Sequence, residues 1–135
     1  MTALVPYLNF DGNCREAMTF YKTCLGADLQ LITVGDMDAN TPDAVKDRIM
    51  HAKLSKGPAA LMASDIMPNM PYQKGTNFSV SVHPGSVEEI ERVWKAFIEG
   101  ATIQQELADA PWGARFGMLV DKFGVRWMFN YEYPK

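Results

Sequence analysis

Hydrophobic and polar residues recur with two periods along the chain, and the switches between them mark out its elements. Residues 3–10, ALVPYLNF, alternate and end at the turn pair Asp11-Gly12, which predicts a strand. In the next stretch Ala17, Met18, Tyr21 and Leu25 fall at helical spacing, so 13–26 reads as a helix. Asn13 is placed to cap it, Glu16 follows three residues later, and Gly26 offers a left-handed stop. Strands are predicted at 27–34 (ADLQLITV), 48–55 (RIMHAKLS) and 59–65 (AALMASD), with an exposed polar loop over 35–47.

The second half repeats this order. An alternating strand at 76–83 (TNFSVSVH) ends in Pro84-Gly85. Ser86 then caps a helix with Glu89 at the capping-box position, and Gly100 ends it. Val87, Ile90, Val93, Trp94, Phe97 and Ile98 supply its apolar stripe. Strands follow at 102–109, 114–121 and 125–131, the last two joined through Lys122-Phe123-Gly124. The two caps lie 73 residues apart and the two glycine stops 74 apart. Each half therefore reads strand–helix–strand–strand–strand, over 3–65 and 75–132, with 66–74 as linker. That period is too long for a solenoid unit and occurs only twice. The expectation is one domain of α+β class, made of two βαβββ modules whose sheets enclose a concave pocket and whose helices lie outside.

Composition narrows the partners. A net charge of −3 without a basic run argues against nucleic acid and against an anionic membrane surface. The longest apolar stretches, such as PAALMA at 58–63, fall far short of the roughly 20 residues that span a bilayer. MTALVPYLNF carries no basic region or long apolar segment, so a cytoplasmic chain without a signal peptide is expected. Cys14 and Cys24, ten residues apart on one helix, would stand about 15 Å apart, beyond the roughly 7 Å reach of a disulfide. Two buried or half-buried thiols in a reducing compartment are expected.

Three segments, PYLNFDGNCREAMTFYKTCLGA, MHAKLSKGPAALMASD and WGARFGMLVDKFGVRWMFN, resemble the PhnB-like branch of the glyoxalase/bleomycin-resistance/extradiol-dioxygenase group, the vicinal oxygen chelate superfamily. The resemblance covers nearly the whole chain and implies paired βαβββ modules. It also implies a homodimer. Members include metal-dependent isomerases, lyases and dioxygenases, and metal-free proteins that bind small molecules, so the fold alone selects no chemistry.

In metal-binding members, four His, Gln or Glu ligands come from the first and last strand of each module. Carried over by strand, those positions fall at Val5, Met62, Asn77 and Met128. Val has no donor atom, Met is soft and Asn is neutral, a poor set for Zn²⁺, Ni²⁺ or Fe²⁺. The neighbours Leu4, Pro6, Ala63, Phe78 and Phe129 supply no ligand either. No metal ligand is assigned and no cofactor is expected, with a divalent ion held by other residues kept open.

Strand alternation then assigns the cavity lining. On the last strand Val125, Trp127, Phe129 and Tyr131 are assigned to the helix side, leaving Arg126, Met128 and Asn130 inward. Phe78, Val80 and Val82 are assigned to the core, with Asn77, Ser79 and Ser81 toward the cavity. Val5, Tyr7 and Asn9 point inward, and His51 shares a face with Lys53. The candidate ligand-binding residues are Tyr7, Asn9, His51, Met62, Ser64, Asn77, Ser79, Trp112, Met128 and Asn130, a mixed surface suited to an organic ligand with several polar atoms. His51 is the candidate acid–base group, with Asp65 able either to orient it or simply to open a turn. His83 is expected at the surface. Trp112 and the 66–74 linker are candidates to gate the pocket, and Met62, Met67, Met70 and Met128 to form an adaptable wall.

The chain has no GxSxG, P-loop, HExxH or GxGxxG. Proteins resembling this one carry the label ubiquinone-pathway methyltransferase, for which the sequence offers no physical support. The primary expectation is a metal-free small-molecule-binding protein. The alternative is a lyase, isomerase or dioxygenase acting on a small oxygenated substrate, through atypical metal ligands (His51 with Asp65 or Asn9) or through His51 as acid and base. A third is a module that works through its surface, its cavity filled by its own side chains.

Overall fold

The computed structural model describes residues 2–135, and the chain divides into two compact units between Gln73 and Lys74. The first unit comprises β1 (Tyr7–Phe10), α1 (Cys14–Leu25), β2 (Asp28–Thr33), α2 (Val34–Met37), β3 (Ile49–Lys56) and β4 (Ala59–Asp65). The second comprises β5 (Val80–Val82), α3 (Val87–Phe97), β6 (Thr102–Ala110), β7 (Ala114–Val120) and β8 (Arg126–Glu132). Each unit holds one four-stranded sheet, ordered β1-β4-β3-β2 and β5-β8-β7-β6. In both, the first and last strands pair in parallel and the other pairs are antiparallel. The class is α+β, two βαβββ modules.

Period-two burial decides which side of each sheet its helix covers. In the first unit Leu8, Phe10, Ala52, Leu54, Leu61 and Ala63 are buried together with Ala17, Met18 and Tyr21 of α1. In the second, Trp127, Phe129 and Leu119 are buried with Ile90, Val93, Trp94 and Phe97 of α3. Phe97 lies against both Trp127 and Phe129, with ring centroids 4.7 and 5.1 Å away, and Trp94 meets Phe129 edge-on at 5.3 Å. Each such pair adds about 0.5–1.5 kcal/mol beyond its area. Gly117 lies under this cluster, where a Cβ would come within 2.8 Å of the Trp94 ring.

The caps behave differently in the two units. Ser86 Oγ accepts from Glu89 N, while the Glu89 carboxylate accepts from Gly85 N. Asn13 stands at the N-cap of α1, but its side chain makes no capping bond. Asp65, at the end of β4, does that work from a distance: Oδ1 accepts from Gly12 N and Cys14 N, and Oδ2 from Ile49 N. Gly26 ends α1 with φ of 64°.

Two strands are shorter than alternation implies. The first strand, expected over 3–10, spans only Tyr7–Phe10, because Pro6 has no N–H to continue a ladder and only its carbonyl accepts from Met62 N. The strand expected over 76–83 is confined to Val80–Val82. Val80 pairs with Trp127, so the residues two and more before it run out opposite the turn in which Asp121 holds Phe123 N and Val125 N. Phe78, assigned to the core, is 53% exposed for that reason. Val125, assigned to the last strand, stands ahead of β8 in that turn. The loop expected over 35–47 also contains the end of a short helix, α2, closed by a capping box between Thr33 and Asp36. Among the described residues no helix is long and apolar enough to cross a membrane.

Candidate functional site

Pairing register places the candidate residues on the side of each sheet away from its helix. In the first unit Leu8 and Phe10 are buried toward α1, so Tyr7 and Asn9 project from the opposite face. Tyr7 is in register with Met62 and Asn9 with Ser64. Met62 is in turn opposite Lys53, and Lys53 opposite Gln30. One row therefore runs Gln30–Lys53–Met62–Tyr7 across the sheet. His51, opposite Ile32, stands on the same face, and its ring lies 6.1 Å from that of Tyr7, tilted by 38°. Tyr7, Asn9, His51, Met62 and Ser64 are thus brought together on one surface.

In the second unit Met128 and Asn130 alternate with the buried Trp127 and Phe129 and share their face with Ser81, opposite Met128. Met118 pairs with Met128, and Phe116 with Asn130. Trp112, 61% exposed in the β6–β7 turn, sets its ring edge-on to Phe116 at 5.5 Å. Phe116 and Met118 escaped the sequence reading, although the period-two count through Gly117 and Leu119 signals them. Asn77 and Ser79 precede β5 and carry no ladder position, so alternation does not assign their side chains to the face. Val5 likewise stands ahead of β1, 38% exposed.

Asp65 does not orient His51. It pairs with Phe10 on the α1 side of the sheet, and its two oxygens are occupied by three backbone N–H groups. Among the described residues no side chain hydrogen-bonds the His51 ring. His83 is exposed at the end of β5, its Nε2 2.9 Å from Ser81 Oγ. Cys14 and Cys24 are both free and buried. Burial first, and the Asp65 carboxylate second, push the Cys14 thiol up to about 12, against an opposing pull from Arg15.

Residues 2–129 match the family described as 3-demethylubiquinone-9 3-methyltransferase. The chain belongs to this family. Its fold is the one shared by the glyoxalase/bleomycin-resistance proteins that the sequence resembles. Protein YjdN of Escherichia coli K12 is 31% identical, covering 94% of this chain and 93% of that one. Protein PA1353 of Pseudomonas aeruginosa is 44% identical with a TM-score of 0.86, covering 98% of both chains. A Bacillus cereus PhnB protein, described as a putative 3-demethylubiquinone-9 3-methyltransferase, is 25% identical with a TM-score of 0.73, over 96% of this chain and 99% of that one. Two solved glyoxalase/bleomycin-resistance proteins, at 14% and 12% identity, share the fold with TM-scores of 0.67 and 0.64.

The superfamily's metal can be tested against the residues this family member presents. The four ligand positions that the resemblance implies hold Val5, Met62, Asn77 and Met128, of which two are thioethers, one is a neutral amide and one has no donor atom. Met62 and Met128 lie on the helix-free faces, whereas Val5 and Asn77 lie outside the strands. This set does not fit a divalent ion that wants imidazole or carboxylate donors. Among the described residues no three His, Cys, Asp or Glu side chains are grouped to hold one.

Proposed function

We propose that this chain binds a small organic molecule on the helix-free faces of its sheets, without a metal ion. The observation that carries the reading is the donor chemistry at the four superfamily positions: Val5, Met62, Asn77 and Met128 cannot chelate paired substrate oxygens through a cation. What remains on the first unit's face is hydrogen bonding from Tyr7, Asn9, His51 and Ser64 with Met62 among them, and on the second unit's face Asn130 with Met118, Met128 and Phe116. Polarizable thioethers beside a few polar groups suit an organic ligand. The family's methyltransferase description does not alter the proposal, because GxGxxG is missing and its place is not taken by another nucleotide-binding signature.

The acid–base alternative gains nothing from the geometry, since Asp65 is committed to backbone N–H groups and leaves His51 without an orienting carboxylate. The proposal places the chain in the cytoplasm as a homodimer, supported by its two free thiols and by the family resemblance; light scattering reads the second point.

The test is a thermal-shift screen of small oxygenated organic compounds, run in parallel with added divalent ions and with a chelator. A ligand selective for the native form raises the melting temperature. The expected result is a compound whose shift is the same in both arms. Shifts that appear only with a divalent ion would contradict the proposal.

A further inference from the structure

The half-buried cations of this chain are Arg48, Lys53, Arg115 and Arg126 among the described residues. Three are engaged. Arg48 reaches Asp11 and the Ile66 carbonyl, Arg115 reaches Glu91 and Asp109, and Arg126 donates to the Gln104 amide oxygen. The Lys53 side chain makes no ion pair or hydrogen bond with any described residue. Part of the Lys53 side chain is covered, and its ammonium, with no side-chain or carbonyl acceptor, is left to hydrogen-bond an anion that reaches this face.

Its position says what such an anion would meet. Lys53 occupies a central strand, flanked by Gln30 and Met62, with His51 two residues along on the same face. Same-face neighbours on a strand are about 6.6 Å apart, within reach of one small anion for a lysine and an imidazole. The residues that β1, β3 and β4 present on that face include no carboxylate. The face's one acid, Asp28 on β2, is in register with Ser55 and makes no ion pair with Lys53. In a chain of net charge −3, Lys53 is the formal positive charge at the centre of this face, with Asp28 at its β2 edge.

We propose that Lys53 and His51 form the anchor for a small oxyanion, a carboxylate or phosphate, carried by the ligand of the first unit's helix-free face. The inference rests on the binding reading above and adds the charge of the ligand. Lys53 Nζ supplies N–H donors to the anion, the His51 ring a further one, and Tyr7 is placed to cover the organic remainder, its ring already beside His51.

The probes are oxalate, benzoate and inorganic phosphate, titrated at constant ionic strength while the Lys53 and His51 side-chain resonances are followed by NMR. The expected result is saturable shifts at both residues with at least one probe. Lys53→Met should weaken that binding about tenfold or more, Lys53→Arg should restore part of it, and Lys95→Met on the exposed side of α3 should leave it unchanged. No saturable shift with any of the three, or equal binding by Lys53→Met, would overturn the inference. Should neutral compounds bind this face while all three anions fail, the anchor falls and the binding reading stands. Failure of the neutral and anionic sets together removes both.

Discussion

The Asp65 carboxylate accepts a hydrogen bond from Ile49 N at 2.8 Å across the sheet, while its other oxygen holds Gly12 N and Cys14 N at 2.9 Å each. One side chain thus ties the end of β4 to the start of β3 and to the first turn of α1, where a negative charge is also favoured by the exposed N–H groups of the helix. Asp65→Ala would leave these donors without an acceptor, two of them part-buried. The expected loss is about 2–4 kcal/mol in urea denaturation. An unchanged midpoint would mean that water or Asn13 takes over the cap.

Gly117 predicts a second loss of stability. A Cβ at this position would stand 2.8 Å from Trp94 Cζ3 and 3.1 Å from the Leu107 Cα, so Gly117→Ala overpacks the α3–sheet interface. We expect a cost of about 1–3 kcal/mol. The penalty should shrink in a Trp94→Leu background, read as the coupling energy of a double-mutant cycle. Full additivity would show that the Leu107 backbone, not the indole, sets the limit.

Near the C-terminus the Tyr133 hydroxyl donates to Asp109, which also pairs with Arg115. The bond to Tyr133 first, and Arg115 after it, hold the Asp109 carboxyl below its usual 3.8, and the same bond raises the Tyr133 phenol above 10.0. A raised phenol stabilises the fold below its ordinary titration and loses that contribution as pH climbs through the folded value. A lowered carboxyl contributes above its ordinary titration and loses it as pH falls. The clasp should therefore hold between about pH 4 and 10 and loosen on either side. Amide exchange of the Tyr133 N–H, which bonds the Gly113 carbonyl, reads this directly. In Tyr133→Phe the alkaline limb should vanish; its persistence would exclude the phenol as its source.

Burial and the Asp65 carboxylate leave Cys14 protonated across the physiological range, and it is the thiolate that attacks. The folded protein should resist alkylation at Cys14 at pH 8 and become labelled only after denaturation, as mass spectrometry of the Cys14 peptide would show. Rapid labelling of the native chain would contradict the buried placement.

Element order was legible because its signals are local. Ser86 with Glu89, the Gly26 stop and the paired turns each lie within a few residues of what they terminate, and period two separates His51, Met62, Met128 and Asn130 from the helix-facing residues beside them. What failed depends on distant partners. The length of β5 is set by where β8 begins, so Asn77, Ser79 and Phe78 could not be placed by alternation alone. Asp65 caps a helix fifty residues away, a role with no nearby pattern to betray it. Lys53 was read as a neighbour of His51, but only the inventory of ion pairs distinguishes it from the other cations.

Metal content is the most direct measure of whether recognition here proceeds without a cation. The chain should be purified without chelators, loaded in turn with zinc, nickel and ferrous iron, passed through a desalting column and analysed by elemental mass spectrometry. Retention well below one ion per chain for each metal is the predicted result, with unchanged melting temperature. One zinc, nickel or iron retained per chain, abolished by substituting His51 or another residue of the helix-free faces, would contradict it.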